Sequence, residues 1–179
     1  MDQWVHLGID GMGIVLYSAK VMSCVEPGTN FLETEFWDGP KVAEHVLKGD
    51  ITAFCTGSPG EYDLHFLSGY PTDEEDERLP VAIRLGIEVR GGSLQFCDLF
   101  WLSNWDPNFP PEQVLPLPDG FYHVTVCTRR PDSGRWGDHQ EIAVYLQPLE
   151  AMPKLKWFGV PLLLPPEDWG GPEAEMPEE

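Results

Sequence analysis

The sequence predicts a mostly β protein, an antiparallel β-sandwich with one short helix, and three observations carry that prediction. Val81, Ile83, Leu85, Ile87 and Val89 alternate with Ala82, Arg84, Gly86 and Glu88, a period of two that buries one strand face and leaves the other largely polar. Eighteen glycines and eighteen prolines cut the chain into short apolar runs, the rhythm of strands joined by turns. A hydrophobic fraction of 42% with 12% aromatics supplies a core for one domain in 179 residues. At this length a domain buries roughly 70% of its unfolded surface.

Taken in order, Ile14-Val15-Leu16-Tyr17 reads as an early strand. Residues 51–56 and 62–67 flank the turn Gly57-Ser58-Pro59-Gly60 and are expected to form a hairpin. Between these lies the one expected helix, residues 39–48, with Asp38 as its cap, Pro40 in its first turn and Gly49 at its end. The alternating strand 81–89 meets Gly91-Gly92, which supplies the positive φ angles of a tight turn, so residues 93–101 are expected as its hairpin partner. A third pair, 121–128 with 141–149, is joined by an arginine-bearing loop, 129–139. The sandwich domain is placed at residues 1–153 and a C-terminal extension at 154–179. From Glu167 onward that extension holds six acids and no base, the composition of a disordered tail.

Charge is the strongest compositional signal. Thirty acidic against eleven basic residues give a net charge of −19. Such a field repels nucleic acid and anionic membrane and speeds encounter with a cationic protein. The five consecutive acids Asp73, Glu74, Glu75, Asp76 and Glu77 and the six of the tail carry more than half of it, and the run reads as a solvated loop. Arg129, Arg130 and Arg135 form the one basic cluster, diluted by Asp132 and Asp138, so direct nucleic-acid binding is disfavoured. The first residues lack the basic-then-apolar layout of an export signal, and no run approaches the ~20 apolar residues of a membrane span. A cytoplasmic protein with four reduced cysteines, packed as small hydrophobes in strands, is expected.

No catalytic template fits. Gly57-Ser58-Pro59-Gly60 lacks the spacing of a nucleophile elbow, and Gly8-Ile9-Asp10-Gly11-Met12-Gly13 matches neither dinucleotide nor phosphate-loop patterns. The five histidines are scattered without metal-ligand spacing, although His65 and His123, on strands, could face one another across a sheet. The acidic run lacks the spaced ligands of a calcium loop. Cys97 and Cys127 are the candidates for a nucleophile assembled in space, yet both fall in apolar strands. No enzyme activity, cofactor or metal is therefore expected. One aromatic segment exceeds what a sandwich requires: Trp101, Trp105 and Phe109 persist into a Pro- and Asn-rich stretch, either as a lid on the core or as interface anchors.

The passage Leu115-Pro116-Leu117-Pro118-Asp119-Gly120-Phe121-Tyr122-His123-Val124-Thr125-Val126-Cys127 resembles the ComJ-type family, inhibitors of the DNA-entry nuclease in competence systems, and related immunity-like β-sandwich domains. The similar stretch runs from about residue 12 to residue 148, including the later strand Glu141-Ile142-Ala143-Val144-Tyr145-Leu146. The resemblance implies a sandwich fold and a non-enzymatic inhibitor of a basic nuclease or toxin. With the charge, it makes Asp73 to Glu77, Trp101, Trp105 and Phe109 the candidate partner-binding residues. The alternative is an acidic scaffold or small-ligand-binding sandwich whose charge serves solubility.

Overall fold

The structure, a computed structural model, describes residues 1–168. Nine strands follow one another: β1 (Asp2–Ile9), β2 (Gly13–Ser18), β3 (Ile51–Cys55), β4 (Gly60–Ser68), β5 (Val81–Val89), β6 (Ser93–Asp98), β7 (Val114–Pro116), β8 (Gly120–Thr128) and β9 (Gln140–Leu149). They form a five-stranded sheet in the order β1-β4-β9-β8-β5 and a four-stranded sheet in the order β3-β2-β6-β7. The main core lies between the two. Val5, Leu64, Phe66, Leu85, Val124 and Val144 of the larger sheet meet Ile14, Leu16, Phe54, Leu94 and Phe96 of the smaller one.

The mostly β, two-sheet expectation holds, but the sandwich is not wholly antiparallel. β4 pairs with β9 in parallel, Asp63 opposite Glu141 and His65 opposite Ala143. Two expected hairpins are also corrected. β3 joins the smaller sheet while β4 joins the larger, and β5 and β6 are divided in the same way. Gly91 and Gly92 do adopt positive φ, 85° and 77°, but their turn carries the chain from one sheet to the other. The pairing of β8 with β9 is antiparallel, as read.

There is more than one helix. α1 (Ala19–Met22), α2 (Phe31–Glu35) and α3 (Gly39–Lys48) cover the outer face of the smaller sheet. Asp38 caps α3 by accepting from the Lys41 N–H, and Gly49 ends it in the left-handed region. Because helices cover that side too, β2 is buried at all six positions, which is why its sequence is continuously apolar and not alternating. The acidic run, expected as a loop, is a fourth helix, α4 (Asp73–Arg78). Thr72 caps it through the Glu75 N–H, and carboxylates in a first turn are favoured by the helix dipole. Residues 99–101 of the expected strand 93–101 instead begin a 3-10 turn, Leu99–Asn104.

Past β9 the chain returns to the core. Leu163 is fully buried between the sheets, and its N–H donates to the Cys55 carbonyl while the Cys55 N–H donates to that of Pro161, both at 2.8 Å. The expected acidic tail falls mainly on residues outside those described. Glu167 and Asp168 belong to a short 3-10 turn, where Asp168 pairs with Arg130. Among the described residues no helix is long and apolar enough to cross a membrane.

Candidate protein-docking face

The outer face of the larger sheet is assembled by the strand pleat. Because Val5, Leu7 and Ile9 of β1 point inward, Asp2, Trp4 and His6 point outward. The same alternation turns Glu61, Asp63 and His65 out from β4 and Glu141, Ala143 and Tyr145 from β9. Register then aligns His6, Asp63 and Glu141 in one row across three strands, with Trp4, His65 and Ala143 in the next.

Polar contacts knit these rows together. His6 meets Asp63 through Nδ1 at 2.9 Å and Glu61 through Nε2 at 2.5 Å. Hydrogen bonding to those carboxylates, Asp63 foremost, raises the imidazole above its ordinary value. His65 reaches Asp2 at 2.6 Å and stacks on the half-exposed Trp4 ring, centroids 3.9 Å apart. α4 is held to the same face at its end, where Leu79, the residue that follows it, packs with Leu67, Cys127 and Tyr145. Arg78 ends it and donates two 2.8 Å hydrogen bonds to Glu141 and two, of 2.9 and 3.3 Å, to Glu75. Arg78 holds the Glu75 carboxyl below the usual range. The Tyr145 hydroxyl also donates to Glu75, and its pKa is pushed up to about 12, mainly by burial.

The β8–β9 loop folds over one end of this face. Gly60 and Gly137 let it seat against β4: a Cβ on Gly60 would stand 2.3 Å from the Gly137 carbonyl oxygen, and the Glu61 N–H donates to that oxygen at 2.8 Å. The result is an open cleft lined by Trp4, Asp63, Arg129, Asp132, Asp138, His139 and Glu141. The carboxylates of Asp2, Glu61, Asp63, Asp132, Asp138 and Glu141 thus share one face with the five of α4. Its arginines are already engaged, Arg78 as above, Arg129 with Asp132, Arg135 with Asp138, and Arg84 with the Thr125 hydroxyl and the Tyr70 ring. Arg130, the remaining member of the basic cluster, pairs with Asp168. No free basic patch exists in this loop among the described residues.

The predicted site residues are not brought together. Asp73, Glu74, Glu75, Asp76 and Glu77 lie on α4, which meets the larger sheet through Glu75 and Arg78, whereas Trp101, Trp105 and Phe109 pack on the outer side of the smaller one. Trp105 is 3% exposed, edge-on to Tyr17 at 5.7 Å, and is a core residue with no ring face to offer a partner. Trp101 and Phe109 are half-buried beside it, 5.3 Å apart, so the segment covers the outer core while Trp101 also lines an open surface cleft. Sequence reasoning missed Trp4, His6, Asp63, His139 and Glu141.

Among the histidines, His65 and His123 do not face each other. β9 separates their strands, and His123 binds the Tyr70 hydroxyl instead. His6 and His139 do approach, ring centroids 5.9 Å apart, with Asp63 beside them. The two nucleophile candidates are sealed: Cys97 and Cys127 are buried, and burial pushes the Cys127 thiol up to about 11. Cys24 departs from expectation, being exposed just past α1.

The fold defines the chain as a two-sheet β protein with one mixed and one antiparallel sheet and a few short helices. No protein-family model and no curated protein matches its sequence. Two solved structures are similar in fold. One is the crocagin biosynthetic gene J protein, with a TM-score of 0.53 and 14% identity over 83% of this chain and 97% of that one. The other is ComJ from Bacillus subtilis, inhibitor of the DNA degrading activity of NucA, with a TM-score of 0.47 and 11% identity over 82% and 96%.

Proposed function

We propose that this protein is a non-enzymatic, cytoplasmic binding protein that engages a basic protein, a nuclease or toxin, and restrains it by covering its cationic surface. The observation that carries the reading is the contiguous carboxylate face of the larger sheet. Asp73, Glu74, Asp76 and Glu77 project from it without an ion-pair partner among the described residues. Several acids elsewhere have local structural roles. Asp38 caps α3, Asp98 accepts from three backbone N–H groups, and Asp119 accepts from the Gly92 N–H. Among the described residues those on α4, apart from Glu75, accept no hydrogen bond through their side chains, and their local role is confined to the favourable first turn of the helix.

Carboxylates presented this way act chiefly on encounter, since rim charges change association rate and salt dependence more than dissociation. Trp4 adds an exposed aromatic at the edge of the cleft, the residue type that most often anchors such contacts. The ComJ-type resemblance of the 115–127 passage favours a nuclease as the partner.

The test begins with capture of the partner from the native host. Association is then measured for the wild type and for a variant carrying Asp73→Asn, Glu74→Gln, Asp76→Asn and Glu77→Gln. Glu75 is kept because Arg78 and Tyr145 depend on it. The expected result is slower association with a flatter salt dependence and little change in dissociation. Equal association rates at low salt would remove α4 from the interface.

A further inference from the structure

We propose that His6, Asp63 and His139 form a binding site for a divalent transition-metal ion of the zinc class. Each offers one ligand atom, and the three atoms lie within 4.8 Å of one another. Ligands at about 2.0–2.2 Å from zinc stand roughly 3–3.5 Å apart around a tetrahedron, so shifts of about 1 Å in exposed side chains close the set. The His6 Nδ1 to Asp63 Oδ1 distance is already 2.9 Å.

The surroundings match what such ions require. With Nδ1 of His6 on the metal, its Nε2–H donates to Glu61, whose Oε2 is 2.5 Å away. A carboxylate behind a ligating imidazole fixes its tautomer and orientation, and this arrangement recurs around protein-bound zinc. His139, immediately before β9, is the one non-glycine with positive φ among the described residues, at 45°. Two imidazoles and one carboxylate select zinc, cobalt or nickel over magnesium or calcium, which take oxygen donors. Asp63 and His139 line the cleft, so the remaining coordination positions open toward it. The inference does not rest on the docking reading, because metal binding needs no partner.

The test is calorimetric titration of Zn²⁺ into the full chain, in a Cys24→Ser background to remove the exposed thiol. Saturable binding of one ion per chain is expected. His139→Ala or Asp63→Asn should weaken it at least ~10-fold, and Glu61→Gln about 10-fold, the usual effect of losing a carboxylate behind a ligating histidine. His45→Ala, beside Glu35 and Asp50 elsewhere, should leave it unchanged. Far-UV circular dichroism establishes that each variant folds, and the His6 and His139 imidazole resonances should move on adding Zn²⁺. Absent saturation, indifference to His139→Ala, or loss on His45→Ala would each overturn the site.

Discussion

Leu163 offers the sharpest test of how the chain closes. It is fully buried in the core between the sheets, although it lies well beyond the last strand, in the extension that sequence reasoning set apart from the domain. Leu163→Ala removes most of a sealed side chain where the neighbouring sheets cannot collapse, and such changes cost about 2–5 kcal/mol. We expect ~3 kcal/mol here. That is a large part of the roughly 5–15 kcal/mol that holds an ordinary domain together. At about 2–4 °C per kcal/mol for this chain length, the melting temperature should fall by about 6–12 °C. Truncation after residue 153 should cost more. It also deletes the buried Leu164 and both backbone hydrogen bonds that tie the segment to Cys55. The assay is urea denaturation followed by tryptophan fluorescence and circular dichroism, with the two probes required to coincide. A loss below ~1 kcal/mol for Leu163→Ala would mean that the extension does not complete the core.

Other expectations follow from single contacts. Asp98 accepts from the N–H groups of Asp10, Gly11 and Phe100, so Asp98→Ala should destabilise by about 2–3 kcal/mol in the same assay. Gly60→Ala drives a methyl against the Gly137 carbonyl and should cost at least ~2 kcal/mol, whereas Gly92→Ala meets open space and is penalised only by its positive φ. Two histidines should titrate on opposite sides of 6.5 by NMR in metal-free buffer. His6 is raised by Asp63 and Glu61, and His123 is lowered by burial and by Arg84. The His6 contribution to stability is then fully present below pH 6.5 and lost as pH rises through its folded value. The His123 burial instead costs stability as pH falls through 6.5. Midpoints in the reverse order would refute the contacts assigned to both rings.

Strands were legible by two signals, alternation where one face is wet and short apolar runs between turns where both faces are covered, as in β2 and β8. Val81 to Val89 alternates cleanly, and the β8–β9 pair emerged with its partner. Pairing was less legible, because a turn such as Gly91-Gly92 has the same chemistry whether the chain doubles back or crosses to the opposite sheet. β1 carried a readable alternation in Val5, Leu7 and Ile9 that was overlooked. α4 was masked by its five acids, although Thr72 followed three residues later by Glu75 is a helix-start pattern. The face itself was out of reach. His6, Asp63, His139 and Glu141 are distant in sequence, and only sheet register and the loop over β4 unite them.

The parallel contact between β4 and β9 has a consequence for biosynthesis. β1 and β4 leave the ribosome before β5 to β8, yet the strand that must lie against the inner edge of β4 follows all of these, the last strand among the described residues. Until then β4 presents a row of unsatisfied amides, an invitation to mispairing with other nascent chains. The larger sheet therefore consolidates only once residues 140–149 have been made, and a chain stalled before residue 140 is an aggregation hazard.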